Sequence, residues 1–553
     1  MSANVLIVGA GTTGLSLALS LLRNGLSVRI IEKQLQFHPG ERAPGLQPRT
    51  LEVYKFLGVL PDFMEQSSPQ PGSIQYYSVP DDGKPPRVAP ATDRTDDTPA
   101  RPLNNSRMLG QNRQEAILRK HILTDYDCQV ELGTELRSFE QHHDYVIAHV
   151  IKTVDSKQVE ETITVNWLVG ADGARSVVRT QLGLSFVGET PSGVEVVLGD
   201  IHVLGDSLQH VDGLAIWGHP SGLAVTLRPC LVPGKNLFSF LFRGGSDLDL
   251  VKATSNREEL IEVIHDIMGR KDIEFGELVW MSIWRPNIRM VDNFGKDRVF
   301  IAGDAAHVHS PTGGQGMNSG VQDSFNLAWK LALVQKGLAP KSLLESYSRE
   351  RKPVIAAMLN KTTEIFKKEF QAKLGQREDL FRGDELRQLG INYRGSPFVV
   401  DERYTETNEM IDPYRSGDDG TVRAGDRAPD APSLARLDGE TISLFDIFNP
   451  IQHIALIFPG MTGQDFVGEI LETLREYPVG TLKSVLLLPD SSTGSFSDLA
   501  DMTLIDSEGY AYTHYAVAQN TPTVFIVRPD GYIGALVTSG RTGIRNYFGG
   551  IIL

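Results

Sequence analysis

The first thirty-two residues constrain the fold more than any other part of the chain. Val5-Leu6-Ile7-Val8 is a short apolar run of buried-strand type, and Gly9-Ala10-Gly11-Thr12-Thr13-Gly14 follows it directly. Leu15 to Leu22 then carries a helical pattern, Gly25 ends it, and Val28 to Ile31 reads as a second strand. This is a βαβ unit, the opening of an α/β fold with a Rossmann-type sheet. Its glycines let the backbone approach a pyrophosphate at the helix N-terminus, where free N–H groups and the helix dipole favour negative charge. Glu32 closes the second strand, where it would accept hydrogen bonds from ribose hydroxyls and repel a 2′-phosphate. The site therefore suits FAD or NAD rather than NADP. Three glycines at this spacing are a weak signal alone, and a tight turn with no ligand is the other reading. The strand before and the helix after favour the nucleotide.

With 553 residues the chain is too long for one ordinary domain. Its 41% hydrophobic and 22% charged residues describe a globular protein with ample core. The formal net charge of −15 argues against a nucleic-acid or anionic-membrane binder, since both need a basic face. Cys128 and Cys230 are the only cysteines and form no CxxC, so neither a thiol redox centre nor a cysteine-rich zinc site is expected. That usage fits a reducing, cytoplasmic setting. Met1 to Leu22 carries no charged side chain, but it lacks a basic n-region and glycines interrupt it, so it is not read as a signal peptide. No other stretch has the length and apolarity of a membrane span. His307 and His309 have neither a third ligand nor a carboxylate cluster beside them, so no metal site is expected.

Farther along, Gln66 to Arg107 is rich in Pro, Asp and Thr and reads as an excursion from the nucleotide unit, with Tyr76 and Tyr77 inside it. Val194 to Val197, Leu223 to Leu227 and Leu237 to Phe242 read as strands of an antiparallel sheet. Ser255 is expected to open a helix through a capping box with Glu258, and Gly269 to close it. Arg298 to Ala302 returns to a buried strand, and from Gln315 the residues Met317, Val321, Phe325, Ala328 and Ala332 fall at helical spacing. A further helix is expected from Ser342 to about Phe370. The stretch from Asp401 to Pro432 is polar and turn-rich, and His453–Phe458, Lys483–Leu488 and Val524–Val527 are apolar strands beyond it.

Two more segments complete a pattern: Asp172-Gly173-Ala174-Arg175-Ser176, and Gly303-Asp304 leading into Pro311-Thr312-Gly313-Gly314-Gln315-Gly316-Met317-Asn318. In this order the three segments resemble the FAD-dependent aromatic hydroxylases, the single-component flavoprotein monooxygenases. The resemblance covers nearly Met1 to Phe370. It implies that Asp172, Gly173 and Arg175 touch both FAD and bound NAD(P)H, and that Asp304, after Gly303, binds the ribityl chain. It places Pro311 beside the flavin ring, and Gly314, Gly316, Met317 and Asn318 at a helix start where N–H groups meet the charge of reduced flavin. Gln111 and Glu115 match the family's Gln-x-x-x-Glu segment, whose glutamine contacts the cofactor, and Arg42 matches an arginine near the flavin. Trp217 and Trp284 are candidates to line a substrate cavity, or equally to be core. No catalytic base is assigned.

The C-terminal part is similar to the thioredoxin-like domain of phenol-hydroxylase-type members, with Thr521-Pro522-Thr523 at the cis-proline place and Pro459-Gly460-Met461-Thr462 where a dithiol would stand. The implied fold is an α/β Rossmann-type FAD-binding domain (1–70, 101–190 and 291–400) interleaved with a smaller antiparallel-sheet substrate domain (71–100 and 191–290). A linker (401–430) and a thioredoxin-like domain (431–553) follow. The implied function is an NAD(P)H-driven monooxygenase hydroxylating an aromatic, phenolic or polyketide-type substrate with O₂ through C4a-hydroperoxyflavin, with FAD bound, NADPH or NADH as co-substrate, and a homodimer as a further expectation. Baeyer–Villiger or epoxidising oxygen insertion on a polyketide, and flavin binding without turnover, stay open. Pro44 and Trp284 stand where, in the phenol hydroxylases, an acid and a tyrosine act on a small phenol, so a larger, more acidic polyphenol is expected.

Overall fold

The structure is a computed structural model. It describes residues 3–79, 83–91, 94–190, 195–218, 223–243, 249–285, 287–310, 312–371, 384–404, 411–416, 421–460, 464–489 and 499–553. Val5–Val8 lies inside a six-stranded sheet in the order Gly295–Lys296, Val299–Ile301, Trp167–Gly170, Val5–Val8, Val28–Ile31, Val130–Glu131. Every pair is parallel except the first, which is antiparallel. All four side chains of Val5–Val8 are buried, as a strand covered on both faces requires. The helix Thr12–Arg23 buries Leu15, Leu17, Leu19 and Leu21, each worth about 1.5–3 kcal/mol of transfer free energy. The 20-residue helix Gly316–Gln335 packs close to it because Gly303 and Gly320 leave room for Thr13; a Cβ at either glycine would press on the Thr13 hydroxyl. Ser324 Oγ donates to the Thr13 carbonyl at 2.8 Å across the same contact. Between the third and fourth parallel strands in chain order the chain makes an antiparallel meander, Thr134–Gln141, Val146–Val154 and Lys157–Val165.

A seven-stranded sheet follows the order Glu274–Trp284, Val196–Leu204, Leu237–Arg243, Ala224–Pro229, Leu214–Gly218, Ser73–Tyr77, Arg87–Pro90. Its neighbours are antiparallel except Leu214–Gly218 with Ser73–Tyr77. The excursion after Gln66 thus joins the strands after Val196; Val194 lies outside the described residues. Val197, Ile201, Trp217, Phe240 and Phe242 form one apolar face, packed on Leu260 and Ile264 of the helix Arg257–Met268. That helix begins one residue later than its capping signal suggested. Asn256, not Ser255, is the cap, and its side chain accepts from the Glu259 N–H at 2.9 Å. Both residues can cap, and the apolar phase of Leu260, Ile264 and Ile267 selects Asn256.

The C-terminal part is an eight-stranded mixed sheet, centred on Ile533–Val537, Thr523–Val527, His453–Phe458 and Leu482–Pro489 in that order. Val400–Asp401 joins it beside Ile533–Val537. Residues 421–430, read from sequence as part of a linker, are held by buried contacts: Arg427 is bonded to Glu52, and Asp426 to Arg394. Among the described residues no helix is long and apolar enough to cross a membrane.

Candidate cofactor and substrate site

Gly9 has φ +106°, a region that L side chains rarely adopt, and a Cβ there would collide with the Ala171 carbonyl. A Cβ on Gly14 would strike the Gly9 carbonyl, so this glycine closes the helix onto the strand. Gly11 differs, since the nearest atom to a Cβ there is Glu115 Oε1 at 3.8 Å. The protein leaves that side open, which is the space a pyrophosphate needs beside the backbone. Glu32 Oε2 accepts from the Ala10 N–H at 3.1 Å and Oε1 from the Gln34 N–H at 3.0 Å, which fixes the carboxylate at the edge of the turn.

Other segments converge here. Gln111 Nε2 donates to Glu115 Oε1 at 2.9 Å, and Thr12 Oγ1 to the same oxygen at 3.4 Å, so the helix Gln111–Tyr126 begins against the glycine turn. Thr13 is half-buried between Gly303 and Gly320. Asp172 Oδ2 accepts from the Val177 and Val178 N–H groups in the first turn of the helix Val177–Leu182, whose cap is Ser176, while Oδ1 is buried with no partner within hydrogen-bond distance. Gly173 makes the left-handed turn (φ +78°) and Arg175 is exposed. Arg179 ties this segment to the next, donating to the Ala305 carbonyl at 3.0 Å and the Ala174 carbonyl at 2.9 Å.

Asp304 and Arg42 are both reached by solvent, yet protein surrounds them closely enough to shift them. Burial raises the Asp304 carboxyl, with His307 and Arg42 opposing. Burial lowers the Arg42 guanidinium, opposed by Glu115, Asp304 and Glu32. Groups that water reaches but protein encloses line a cleft. The three carboxylates acting on Arg42 come from three separate segments and mark that cleft's walls. Burial also raises Glu115 and Asp172.

At the helix start, Asn318 holds two strips together. Its amide donates to the Gly45 carbonyl at 2.9 Å and the Gly314 carbonyl at 2.7 Å, and its oxygen accepts from the Gln47 N–H at 2.9 Å. Gly313 and Gly314 have positive φ, +79° and +61°. Gly316 abuts the His309 ring, whose Nδ1 is bonded to the Ser310 carbonyl and whose pKa burial lowers to about 4. Met317 is half-buried, and Pro311 lies outside the described residues. His307 is taken up by Asp323, Nε2 to Oδ2 at 2.7 Å, and among the described residues no group of three His, Cys, Asp or Glu is arranged to hold a metal ion. The open side of Gly11, the unpartnered Asp172 Oδ1 and the enclosed Asp304 together fit an extended dinucleotide with a sugar-like chain.

The second face of the seven-stranded sheet meets this cleft. Arg228, Ser239, Asp200 and Trp280 pair directly across four strands, and Thr226, Leu241, Leu198 and Ser282 form the next row. Trp284 pairs with Val196 one row farther. Trp217 stands on the opposite face, fully buried and stacked on Tyr77 with centroids 4.4 Å apart. Sequence reading did not find Asp200, Glu41, Arg113 or Trp280, which form a buried polar cluster beside Arg42. A lone acid in an apolar strand was the only available signal, and the strand register that pairs it with Trp280 is a tertiary fact.

The family described as "FAD binding domain" matches residues 2–362. A flavin-dependent monooxygenase of Mycobacteroides abscessus is 32% identical over 548 residues, 97% of this chain and 98% of that one. Pentachlorophenol 4-monooxygenase of Sphingobium chlorophenolicum is 30% identical, covering 96% and 93%. A crystal structure of aklavinone-11 hydroxylase with FAD and aklavinone superposes with a TM-score of 0.78 at 25% identity, covering 99% of each chain.

Proposed function

The chain belongs to the FAD-binding family of flavoprotein monooxygenases and is an FAD-dependent, NAD(P)H-driven hydroxylase of aromatic or polyketide substrates, and from that premise we propose that its substrate is a polycyclic phenol held on the open face of the seven-stranded sheet. Bound flavin supplies hydride acceptance and activation of O₂. The chain's own residues bind and orient it. Gly11 would let the pyrophosphate approach the N–H groups at the start of the helix Thr12–Arg23, with Gly9 and Gly14 closing the turn behind it. Glu32 would receive the ribose, Asp304 the ribityl hydroxyls, Asp172 the FAD and NAD(P)H side of the cleft, and the turn Gly314–Asn318 would offer N–H groups to the ring edge. Arg42 and Arg175 supply the cations for transient NAD(P)H binding beside the flavin.

One observation carries the substrate reading. Thr226, Leu241, Leu198 and Ser282 make a row of side chains that are not fully buried across four strands, next to the polar row that touches the Glu41–Arg42 segment. Strands lie about 4.8 Å apart and alternate residues about 7 Å apart, so this floor spans several fused rings. Half-buried Trp284 borders it. Half-buried Pro44, whose carbonyl accepts from the Leu109 N–H, supplies no proton acceptor beyond it, which favours a phenol that ionises unaided. NADPH oxidation with simple phenol, a bicyclic naphthol and a tetracyclic polyketide phenol, read with O₂ uptake and product mass, tests this. The tetracyclic compound is expected to raise oxidation at least tenfold and gain one oxygen; higher kcat/KM and coupling with simple phenol would reverse the assignment.

We assign the C-terminal sheet to the thioredoxin-like class. Supporting this, His453–Phe458 lies between parallel Leu482–Pro489 and antiparallel Thr523–Val527, and Gly460 approaches Pro522 so closely that a Cβ would lie 2.7 Å from its nitrogen. Met461 and Thr462 lie outside the described residues. With no CxxC anywhere in the chain, the role is architectural.

A further inference from the structure

Arg42 has φ +40°. A non-glycine residue in this region persists only where its surroundings over-determine it. What holds it is the segment just before it: Arg42 Nε donates to His38 Nε2 at 3.2 Å, and the Gly40 N–H donates to His38 Nδ1 at 2.9 Å. The Glu41 N–H donates to Asp200 Oδ2 at 2.7 Å. Asp200 is 1% exposed; its Oδ1 accepts from Ser239 Oγ at 2.7 Å, and its Oδ2 also accepts from Trp280 Nε1. Glu41, also 1% exposed, takes Arg113 Nε at 3.0 Å, and Arg113 Nη2 reaches the Cys230 carbonyl at 2.8 Å. Gly40 lies against the Trp280 indole so closely that a Cβ would overlap it. The Glu41 carbonyl accepts from the Gln111 N–H at 2.9 Å. The segment that presents Arg42 to the cofactor cleft is therefore fastened on one side to the substrate sheet and on the other to the helix Gln111–Tyr126.

We propose that Asp200 is a positioning residue for Arg42: gripping the Glu41 N–H from the substrate sheet, it sets the left-handed turn that aims the guanidinium at the cofactor and NAD(P)H. The proposal rests on the reading of Arg42 as a cofactor-site cation. Asp200 is buried at 1% exposure and acts through the backbone of the turn and through Trp280, whose indole packs on the His38 ring that accepts from Arg42 Nε at 3.2 Å. Because both Glu41 N–H and Trp280 N–H go to one oxygen, an asparagine can keep them on its amide oxygen and donate its NH₂ to the Ser239 hydroxyl, which can rotate to accept. An alanine leaves both donors buried without an acceptor.

The test uses full-length protein as wild type, Asp200→Ala, Asp200→Asn, Arg42→Ala and the Asp200→Ala/Arg42→Ala double variant. Amide hydrogen exchange of the segment around Glu41 is followed without added FAD, and anaerobic flavin bleaching by NADPH is followed in the FAD-loaded protein. Asp200→Ala is expected to speed exchange there at least tenfold and to raise the KM for NADPH about tenfold, as Arg42→Ala does. The double variant should be no worse than about twice the weaker single, since both remove the same interaction. Asp200→Asn should recover most of each loss. Multiplying effects in the double variant, or exchange that does not respond in folded Asp200→Ala, would overturn the proposal. Ser239→Ala, which removes one donor on Asp200 Oδ1 and leaves the Glu41 and Trp280 contacts on Oδ2 in place, should change exchange less than about twofold; a loss as large as that of Asp200→Ala would place the effect in the sheet rather than in the grip on Glu41 and overturns it too. The exchange arm needs neither cofactor nor turnover, so it stands if the oxygenase reading fails.

Discussion

Gly11 and Gly14 belong to one motif, yet the structure asks different things of them. A methyl on Gly14 meets the Gly9 carbonyl, whereas a methyl on Gly11 has only Glu115 Oε1 near it, at 3.8 Å. Gly14→Ala should therefore cost fold stability, about 1–3 kcal/mol from backbone overpacking. Gly11→Ala should leave the melting temperature of FAD-free protein within about 2 °C of wild type and weaken FAD at least about tenfold, or about 1.4 kcal/mol. Thermal melts without FAD and a flavin-fluorescence titration separate the two. Equal melting losses in both variants would show that Gly11 is constrained by the protein and not by a ligand.

At the scale of elements, the helix Gly316–Gln335 carries the site, and a buried ionic triad fastens it. Asp323 accepts from the Gly303 N–H at 3.0 Å, meets His307 Nε2 at 2.7 Å and accepts from Arg351 Nε at 2.7 Å, with all three ionisable side chains fully buried. Burial would raise Asp323, but Arg351 and His307 outweigh it and hold the carboxylate at about 2. A carboxylate depressed in the folded state contributes stability above its unfolded pKa. That contribution is whole above about pH 4 and is lost as pH falls through about 2. Removing one partner is a different matter. Arg351→Met leaves Asp323 buried with less compensation and is expected to cost about 3–5 kcal/mol in urea unfolding at pH 7. A loss under about 1 kcal/mol would mean that solvent reaches the triad.

Across the whole molecule, the C-terminal sheet is bonded into the cofactor-binding part through buried charges. Arg528 pairs with Glu350 at 2.8 Å, Glu350 with Lys330 at 2.7 Å, and Asp530 accepts from Trp329 Nε1 at 3.2 Å. Near this seam His453 is 1% exposed among Trp329, Tyr547 and Phe548, and neither ring nitrogen has a partner within hydrogen-bond distance. Burial, then Arg528, lowers its pKa to about 3. The unfolded imidazole takes its proton near pH 6.5 and the folded one near 3, so His453 favours the fold fully above about pH 6.5. That advantage falls as pH drops toward 3, by about 2–3 kcal/mol at pH 4.5. His453→Phe should make this part of the pH–stability curve shallower, leaving the slope from His309 and His38, which burial also lowers to about 4. A curve unchanged between pH 7 and 4.5 would contradict a neutral His453.

The nucleotide unit was legible in sequence because its cause is local. A glycine that must have positive φ, a strand that must be apolar and a helix that must start where the phosphate sits all lie within the first thirty-two residues. The strands before Asp172 and Asp304 were legible for a similar reason, since both are apolar runs that join the same sheet. The substrate face was not. Side-chain alternation puts Trp217 on one face and Asp200 on the other, but which face stays open depends on where the helix Arg257–Met268 docks, more than fifty residues from Asp200. The grip of Asp200 on Glu41 joins positions far apart in the chain, and so does the pairing of Arg427 with Glu52 that turns an apparent linker into a buried seam. Local patterns determined the strands, the turns and the cofactor. Only the packed structure decided which charges met, because a buried charge is tolerated only beside a partner that the chain brings from elsewhere.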